Sequence, residues 1–468
     1  MAGAAQAFNT DDQNRALWLS TVSFTVCFAV WTIFSIIGIQ IKKDLGLNDT
    51  QFGLLVGTPI LTGSLSRLLL GIWTDQYGGR IVYTAVMVAA AVATTLLTQA
   101  DSYPTFLIAA LGVGIAGGSF AVGVAYVSRW YPKGKQGTAL GIFGVGNVGA
   151  AVTKFLAPFV LVAFGWKMVA LVWAGAMLLM AIVFFMFAKD DPALTERKRL
   201  GLKPESLAQQ LAPLKNLQVW RFSLYYFFVF GAFVALALWL PRYFIGVYGV
   251  SIAVAGMLGA AYSIPASVFR ALGGVLSDRL GARRIMYWTF IASVIVTFLL
   301  SYPATTYTVE GIRGPITFSI ALGFIPFTVL IFVLGFFMSI GKAAVYKHIP
   351  VYYPNHVGAV GGVVGLIGGL GGFVLPIAFG AMNDLTGVWT SCFMLLFVLV
   401  ATALTWMHFA IIRMEKKRVP TLAGPRDLPE LEVLGKPAPG ENGAKKSLRP
   451  AAEAPAPGNV GSAQPAHS

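Results

Sequence analysis

Apolar stretches of twenty or so residues, separated by short polar breaks, run through most of this chain. Taking each stretch as one helix predicts twelve, at 17–40, 51–73, 81–99, 104–127, 136–161, 166–188, 219–241, 251–275, 284–301, 318–343, 356–381 and 388–412. Their lengths are close to the roughly 20 residues that cross a hydrocarbon core about 30 Å thick. The first stretch is long enough to stay in the membrane and is followed by no small-residue cleavage site, so it is expected to remain as a helix. The longest polar interruption, 189–218, leaves six helices on either side. The pattern predicts an all-α membrane protein with twelve transmembrane helices in two six-helix halves, 1–188 and 219–412, joined by that linker. The last part, 413–468, turns rich in Ala, Pro and Gly from Pro420, a composition that buries too little surface to fold, and a disordered tail is expected.

Composition strengthens the membrane reading. Of 468 residues, 57% are hydrophobic and only 11% charged, whereas a soluble domain carries roughly 25% charged residues. The net charge of +15 suggests nucleic acid at first sight, but its distribution fits membrane topology better. With the N-terminus inside, the inner loops hold Arg80, Arg129, Lys133, Lys135, the linker cluster, Arg279, Arg283, Arg284 and Lys347. The outer loops and helix ends hold only Lys42, Lys43, Lys167, Arg242 and Arg313. Both termini are therefore expected in the cytoplasm. Cys27 and Cys392 both lie in apolar segments and offer neither a disulfide framework nor a metal site.

A repeat supplies the first chemistry. Arg67, Gly71, Asp75 and Gly78 recur 203 positions later as Arg270, Gly274, Asp278 and Gly281. The glycines allow helices to approach, and each aspartate can pair with a basic residue or a helix N-terminus, contacts that would hold one face closed. The motif looks like the loop motif of the major facilitator superfamily, present in both halves, with the resemblance covering about residues 15–415. It implies the major facilitator fold and alternating access.

Arg67 and Arg270 lie about one turn deeper than those glycines, and neither has an Asp or Glu three or four positions away. The predicted helix interiors contain no carboxylate at all. Two buried guanidiniums without counter-charge are costly, so a bound anion is the natural partner. Arginine's planar fork suits an oxyanion, to which it donates paired hydrogen bonds. Snorkelling toward the inner surface is the plainer alternative for the pair.

The fifth and eleventh stretches are unusually rich in glycine: Gly141, Gly144, Gly146 and Gly149 around Asn147, and Gly358, Gly361, Gly362, Gly365, Gly368, Gly369, Gly371 and Gly372. Such density is costly in a helix unless close approach, sliding or bending compensates. Together with the arginines, these stretches resemble the signatures of the nitrate/nitrite porter family. The resemblance implies that Arg67 and Arg270 clamp nitrate or nitrite, with Asn147 as a further donor and Phe34, Phe120, Tyr226 and Phe230 enclosing the flat anion. The loop motif and the glycine runs make Gly71, Asp75, Gly274, Asp278, Gly144, Gly146, Gly149, Gly365, Gly368 and Gly369 the expected gating positions.

Lys342 departs from the neutral residue usual at that place in the better-known exchangers. An intramembrane lysine can exchange a proton, which makes Lys342 a candidate coupling residue; snorkelling is the alternative for it and for Lys154. Two fixed arginines alone favour nitrate/nitrite exchange, because the empty cavity would resist closure through like-charge repulsion. The Gly341-Lys342 and Lys347-His348 pairs resemble the subtype that takes up nitrate with protons, and that reading is preferred. The expected protein is a monomeric carrier of a bacterial inner membrane, without cofactor, metal or nucleic acid. The four histidines are scattered and no HExxH or GxSxG occurs, so an enzyme is not expected. An anion channel remains the rival class.

Overall fold

A computed structural model describes residues 10–131, 136–190, 215–353 and 357–421. They form α1 (Thr10–Leu45), α2 (Asp49–Tyr77), α3 (Gly79–Gln99), α4 (Tyr103–Trp130), α5 (Gln136–Gly144, continuing to Phe164) and α6 (Trp166–Phe187). After the linker come α7 (Leu217–Tyr248), α8 (Ile252–Leu280), α9 (Ala282–Ser301), α10 (Phe324–Tyr352), α11 (Val357–Thr386) and α12 (Ser391–Thr421). Eleven of the described helical runs are long and apolar enough to cross a membrane. The protein is thus a multi-spanning helical membrane protein. Most of the expected linker and all of the expected tail beyond Thr421 lie outside the described residues.

Two boundaries differ from the sequence reading for physical reasons. The tenth helix was expected from 318, but the chain first makes an antiparallel hairpin of β1 (Thr305–Gly311) and β2 (Gly314–Ile320), and α10 starts at Phe324. Alternating β-branched and aromatic residues flank a tight turn at which Gly314 takes φ 122°. The helix expected to end at 412 continues to Thr421, through part of the expected tail.

Irregular turns decide what the helices present. α1 breaks at Thr32 and Ile33, whose carbonyl ladder gives way to shorter-range bonds. α4 and α5 tighten into 3₁₀ stretches at Gly114–Gly118 and Val145–Val148, while α7 widens into a π turn at Phe227–Ala232. α8 is broken at Ile264 and Phe269, on either side of the helical turn Pro265–Val268, and resumes at Arg270. Such irregularities inside long helices cluster at functional positions.

One end of the bundle is tied shut between the first six helices and the last six. The Asp384 carboxylate at the end of α11 accepts from Asp49 N (3.1 Å) and Thr50 N (2.8 Å) at the start of α2. Asp49 in turn pairs with Lys42 (3.0 Å) and Arg242 (3.4 Å) and accepts from Asn383 Nδ2. Below this network α2 and α11 pack backbone to backbone. A Cβ at Gly57 would stand 2.9 Å from the Phe373 carbonyl, and one at Gly53 or Gly380 would strike the backbone of Pro376 or Asp49. This is the Asp49 end; the opposite end carries the repeated loop motif.

At the motif end the named polar contacts run within one set of helices. Asp278 pairs with Lys347 of α10, Arg80 with Asp190 (3.7 Å), and Arg129 reaches the Thr74 carbonyl (3.4 Å). Asp75 lies in the last turn of α2, and its side chain is outside what is described. Among the described residues, a Cβ at Gly71 or Gly274 would meet nothing within 4 Å, so neither marks the close helix approach expected of it in this state. The glycines that the loops require are Gly78 and Gly281, at φ 94° and 90°.

Candidate functional site

Arg67 and Arg270 come from unbroken α2 and from the first residue after the interruption of α8. Each is only 4% exposed, so neither snorkels. They converge on one ring: Phe120 lies 5.2 Å from the Arg67 guanidinium carbon and 5.6 Å from that of Arg270. Phe120 reaches this place because the 3₁₀ stretch of α4 ends just before it.

Other rings complete the enclosure. Phe230 and Trp31 stand 5.3 and 5.6 Å from Arg67, and Tyr346 stands 5.7 Å from Arg270. Tyr226 and Phe230 stack 5.0 Å apart with only 7° between their planes. The π turn of α7 begins between these two rings, at Phe227. Tyr226 meets the edge of Tyr346 at 4.9 Å, and Tyr346 donates its hydroxyl to Gly361 O (3.2 Å).

The glycines of α5 and α11 make room for this cluster. A Cβ at Gly144 would fall 2.7 Å from Arg270 Nε, one at Gly365 2.8 Å from the Tyr346 hydroxyl, and one at Gly369 3.2 Å from Arg67 Nη1. Gly368 lies against Tyr226 and Gly146 against Phe24, while Gly149 lies against the α1 backbone at Thr25. The glycine-rich helices are therefore the floor on which arginines and rings rest.

Electrostatics leaves the site short of negative charge. Arg67 donates from Nη1 to the Gly365 carbonyl at 2.7 Å, but among the described residues its Nε has no partner, nor does Arg270 Nη1. Asn147, fully buried in the 3₁₀ stretch of α5, leaves both amide atoms unpaired. A cation–π contact in a desolvated site contributes about 2 kcal/mol, whereas burying an ion costs several kcal/mol. The rings offset part of that cost, and among the described residues no carboxylate supplies the rest. The carboxylates within helices sit in terminal turns, such as Asp49, Asp278 and Asp384.

Two lysines sit close by. Lys342 is fully buried, donates to the carbonyl of Ala266 in the interrupted part of α8, and holds its Nζ 3.5 Å from the Phe233 centroid. Lys154 is also fully buried and donates to the Ala150 carbonyl at 2.8 Å. Snorkelling, the alternative considered for each, is excluded by this burial.

The sequence reading placed Phe34 among the enclosing aromatics. Phe34 is buried at the start of the second segment of α1, yet it makes no ring contact to either arginine. Trp31, on the near side of the helix break, takes that place. Trp31 and Tyr346 were not singled out from sequence; Tyr346 follows Lys342 by four residues and so shares its helix face.

A described bundle of membrane-crossing helices around paired buried cations is the build of a membrane carrier, and comparison agrees. The family model of the Major Facilitator Superfamily matches residues 19–329 and 248–451. Among solved structures, a bacterial homologue of the human lysosomal transporter Spinster, inward-facing and unoccupied, superposes with a TM-score of 0.63 at 16% identity, covering 92% of this chain and 100% of that one. That likeness speaks to the fold alone.

Sequence relatives narrow the class. The Thermus thermophilus protein named "Probable nitrate/nitrite antiporter NarK1" is 43% identical over 418 residues, spanning 86% of this chain and 93% of that protein. The "Nitrite extrusion protein" of Bacillus subtilis (strain 168) is 30% identical over 406 residues, 85% and 95% of the two chains. The chain belongs to the major facilitator superfamily and, within it, to the nitrate/nitrite porter family. It is a transporter, not an enzyme.

Proposed function

We propose that this protein carries nitrate, and nitrite as a second substrate, across the bacterial cytoplasmic membrane by alternating access. The observation that carries the reading is the pair of buried arginines on one Phe120 ring, with Arg67 Nε, Arg270 Nη1 and the Asn147 amide all unpaired. A small planar monoanion supplies the missing charge and accepts from these donors while the rings cover its faces. In this reading all twelve helical runs span the bilayer as two six-helix halves, 1–188 and 219–412, with both termini in the cytoplasm and a monomer as the working unit. The Asp49 end then faces outward, and the described state is closed there.

The preferred mode is uptake of nitrate with protons, with Lys342 as the coupling residue. Lys342 is buried, without a carboxylate partner among the described residues, and held at the Ala266 carbonyl, four residues before Arg270 on α8. Proton uptake on Lys342 would then respond to the anion bound beside Arg270. A second reading, nitrate/nitrite antiport without net proton movement, is favoured by the name of the 43%-identical Thermus relative. The two separate in proteoliposomes holding nitrate on both sides and no nitrite. An imposed pH gradient drives net nitrate accumulation under the first reading, and one-for-one exchange indifferent to pH would replace it with the second.

A further inference from the structure

Lys154 has no part in the clamp just described, yet its surroundings are as particular as those of Arg270. It lies where α5 crosses α8, between Asn147 and the Asp49 end. Gly259 and Gly256 of α8 face it: a Cβ at Gly259 would stand 2.8 Å from Lys154 Cδ, and one at Gly256 would strike the Lys154 carbonyl. Instead of reaching for the membrane surface, its Nζ folds back to Ala150 O, on the turn between Lys154 and Asn147. Asn147 and Lys154, seven residues apart, share one face of α5 at levels separated by about 10 Å. Among the described residues no carboxylate pairs with Lys154, and the fully buried Asn147 amide has both its polar atoms free.

The same face of α8 gathers the other basic side chains in order. Gly259 borders Lys154, the Ala266 carbonyl holds Lys342, and Arg270 follows one turn on. From the Asp49 end to the clamp, an anion would therefore meet a basic side chain at successive levels. Because α5 and α8 belong to opposite six-helix sets, the crossing that covers Lys154 is one that must part when the Asp49 end opens.

We propose that Lys154 forms a second anion station, on the Asp49 side of the arginine clamp, which takes nitrate from the opened end and passes it to Asn147 and Arg270. The station rests on the nitrate reading above and adds a site to it. With one N–H on the Ala150 carbonyl, its protonated amine has two further donors to offer an anion but no planar fork, which suits transient capture better than tight binding. Since Lys154 lies on one side of the clamp only, its contribution is confined to one face of the membrane.

That asymmetry gives the test. Initial rates of labelled nitrate flux are measured in right-side-out and everted vesicles for wild type, Lys154→Gln and Lys154→Arg. Lys154→Gln is expected to raise KM at least tenfold from the Asp49 face and to leave KM from the motif face within about twofold; Lys154→Arg should recover most of the loss. Gly259→Ala, which crowds the lysine chain without altering its charge, should shift KM at the same face, so the proposal stands or falls even if Lys154→Gln fails to fold. An equal rise at both faces, or none at either, overturns the station. Wild-type vesicles without saturable nitrate flux would instead remove the nitrate reading itself, and the station with it.

Discussion

Arg67 donates to the carbonyl of Gly365, 298 residues away, at 2.7 Å. One arm of its guanidinium is thus held by the opposite six-helix set, while Nε is left for another partner. The tether fixes the plane of the fork and leaves its charge available.

Lys in place of Arg67 keeps the charge but loses both the tether geometry and the paired donors. Arg67→Lys is expected to weaken nitrate binding by tenfold or more, about 1.4 kcal/mol. Calorimetric titration of purified protein checks this, with the thermal midpoint as a control for folding. Unchanged affinity would mean that the fork plays no part in recognition.

Lys342→Gln separates transport from coupling. Nitrate counterflow should persist, whereas accumulation driven by an imposed pH gradient should disappear. If accumulation survives in this variant, Lys342 does not carry the proton.

Two glycine substitutions should differ sharply although both lie in helices. Gly144→Ala places a Cβ 2.7 Å from Arg270 Nε and should displace that guanidinium, reducing nitrate affinity by roughly tenfold. Gly71→Ala meets nothing within 4 Å, so in this state it should leave stability unchanged or raise it by about 0.4–1 kcal/mol. Thermal unfolding and nitrate titration of both variants decide the matter, and a reversal of their order would refute the packing argument.

Asp384→Ala removes the acceptor that joins α11 to the start of α2. Losing these bonds should cost the closed Asp49 end about 1–2 kcal/mol, a factor of roughly 5–30 in the ratio of closed to open molecules. Spin labels at Asp44 and at Leu385, which is 85% exposed, report the separation of the two sides. An unaltered distance distribution would show that Asp384 does not hold this end.

Much of this was legible in the sequence, for identifiable reasons. The arginines stood out because charge is rare inside apolar stretches and because a second copy lay 203 positions on. Asn147 came from the family resemblance that the glycine-rich stretches carry. The rings were harder to choose: among 34 phenylalanines, neighbours by sequence look alike, and the break in α1 turned Trp31 rather than Phe34 toward Arg67. The hairpin was hidden because its alternating apolar residues blended with the approach to α10. The orientation of Lys154 and Lys342 was out of reach, since snorkelling and burial require the same residue at the same place.

The carboxylate that joins the two helix sets also gives the transport cycle a local cost. Asn48 accepts from Gln51 N within α2, but the first two amides of that helix, Asp49 and Thr50, find their acceptor on α11. Whenever the Asp49 end opens, the Asn48–Gln51 capping box stays with α2, but the amides of Asp49 and Thr50 lose their acceptor and must turn to water. Opening is therefore partly a helix-end transition, paid for by fraying and hydration of a single turn as well as by separating packed surfaces. The first turn of α2 should then exchange its amide hydrogens in proportion to the fraction of molecules open at the Asp49 end, so that hydrogen exchange there reads the balance of closed and open states.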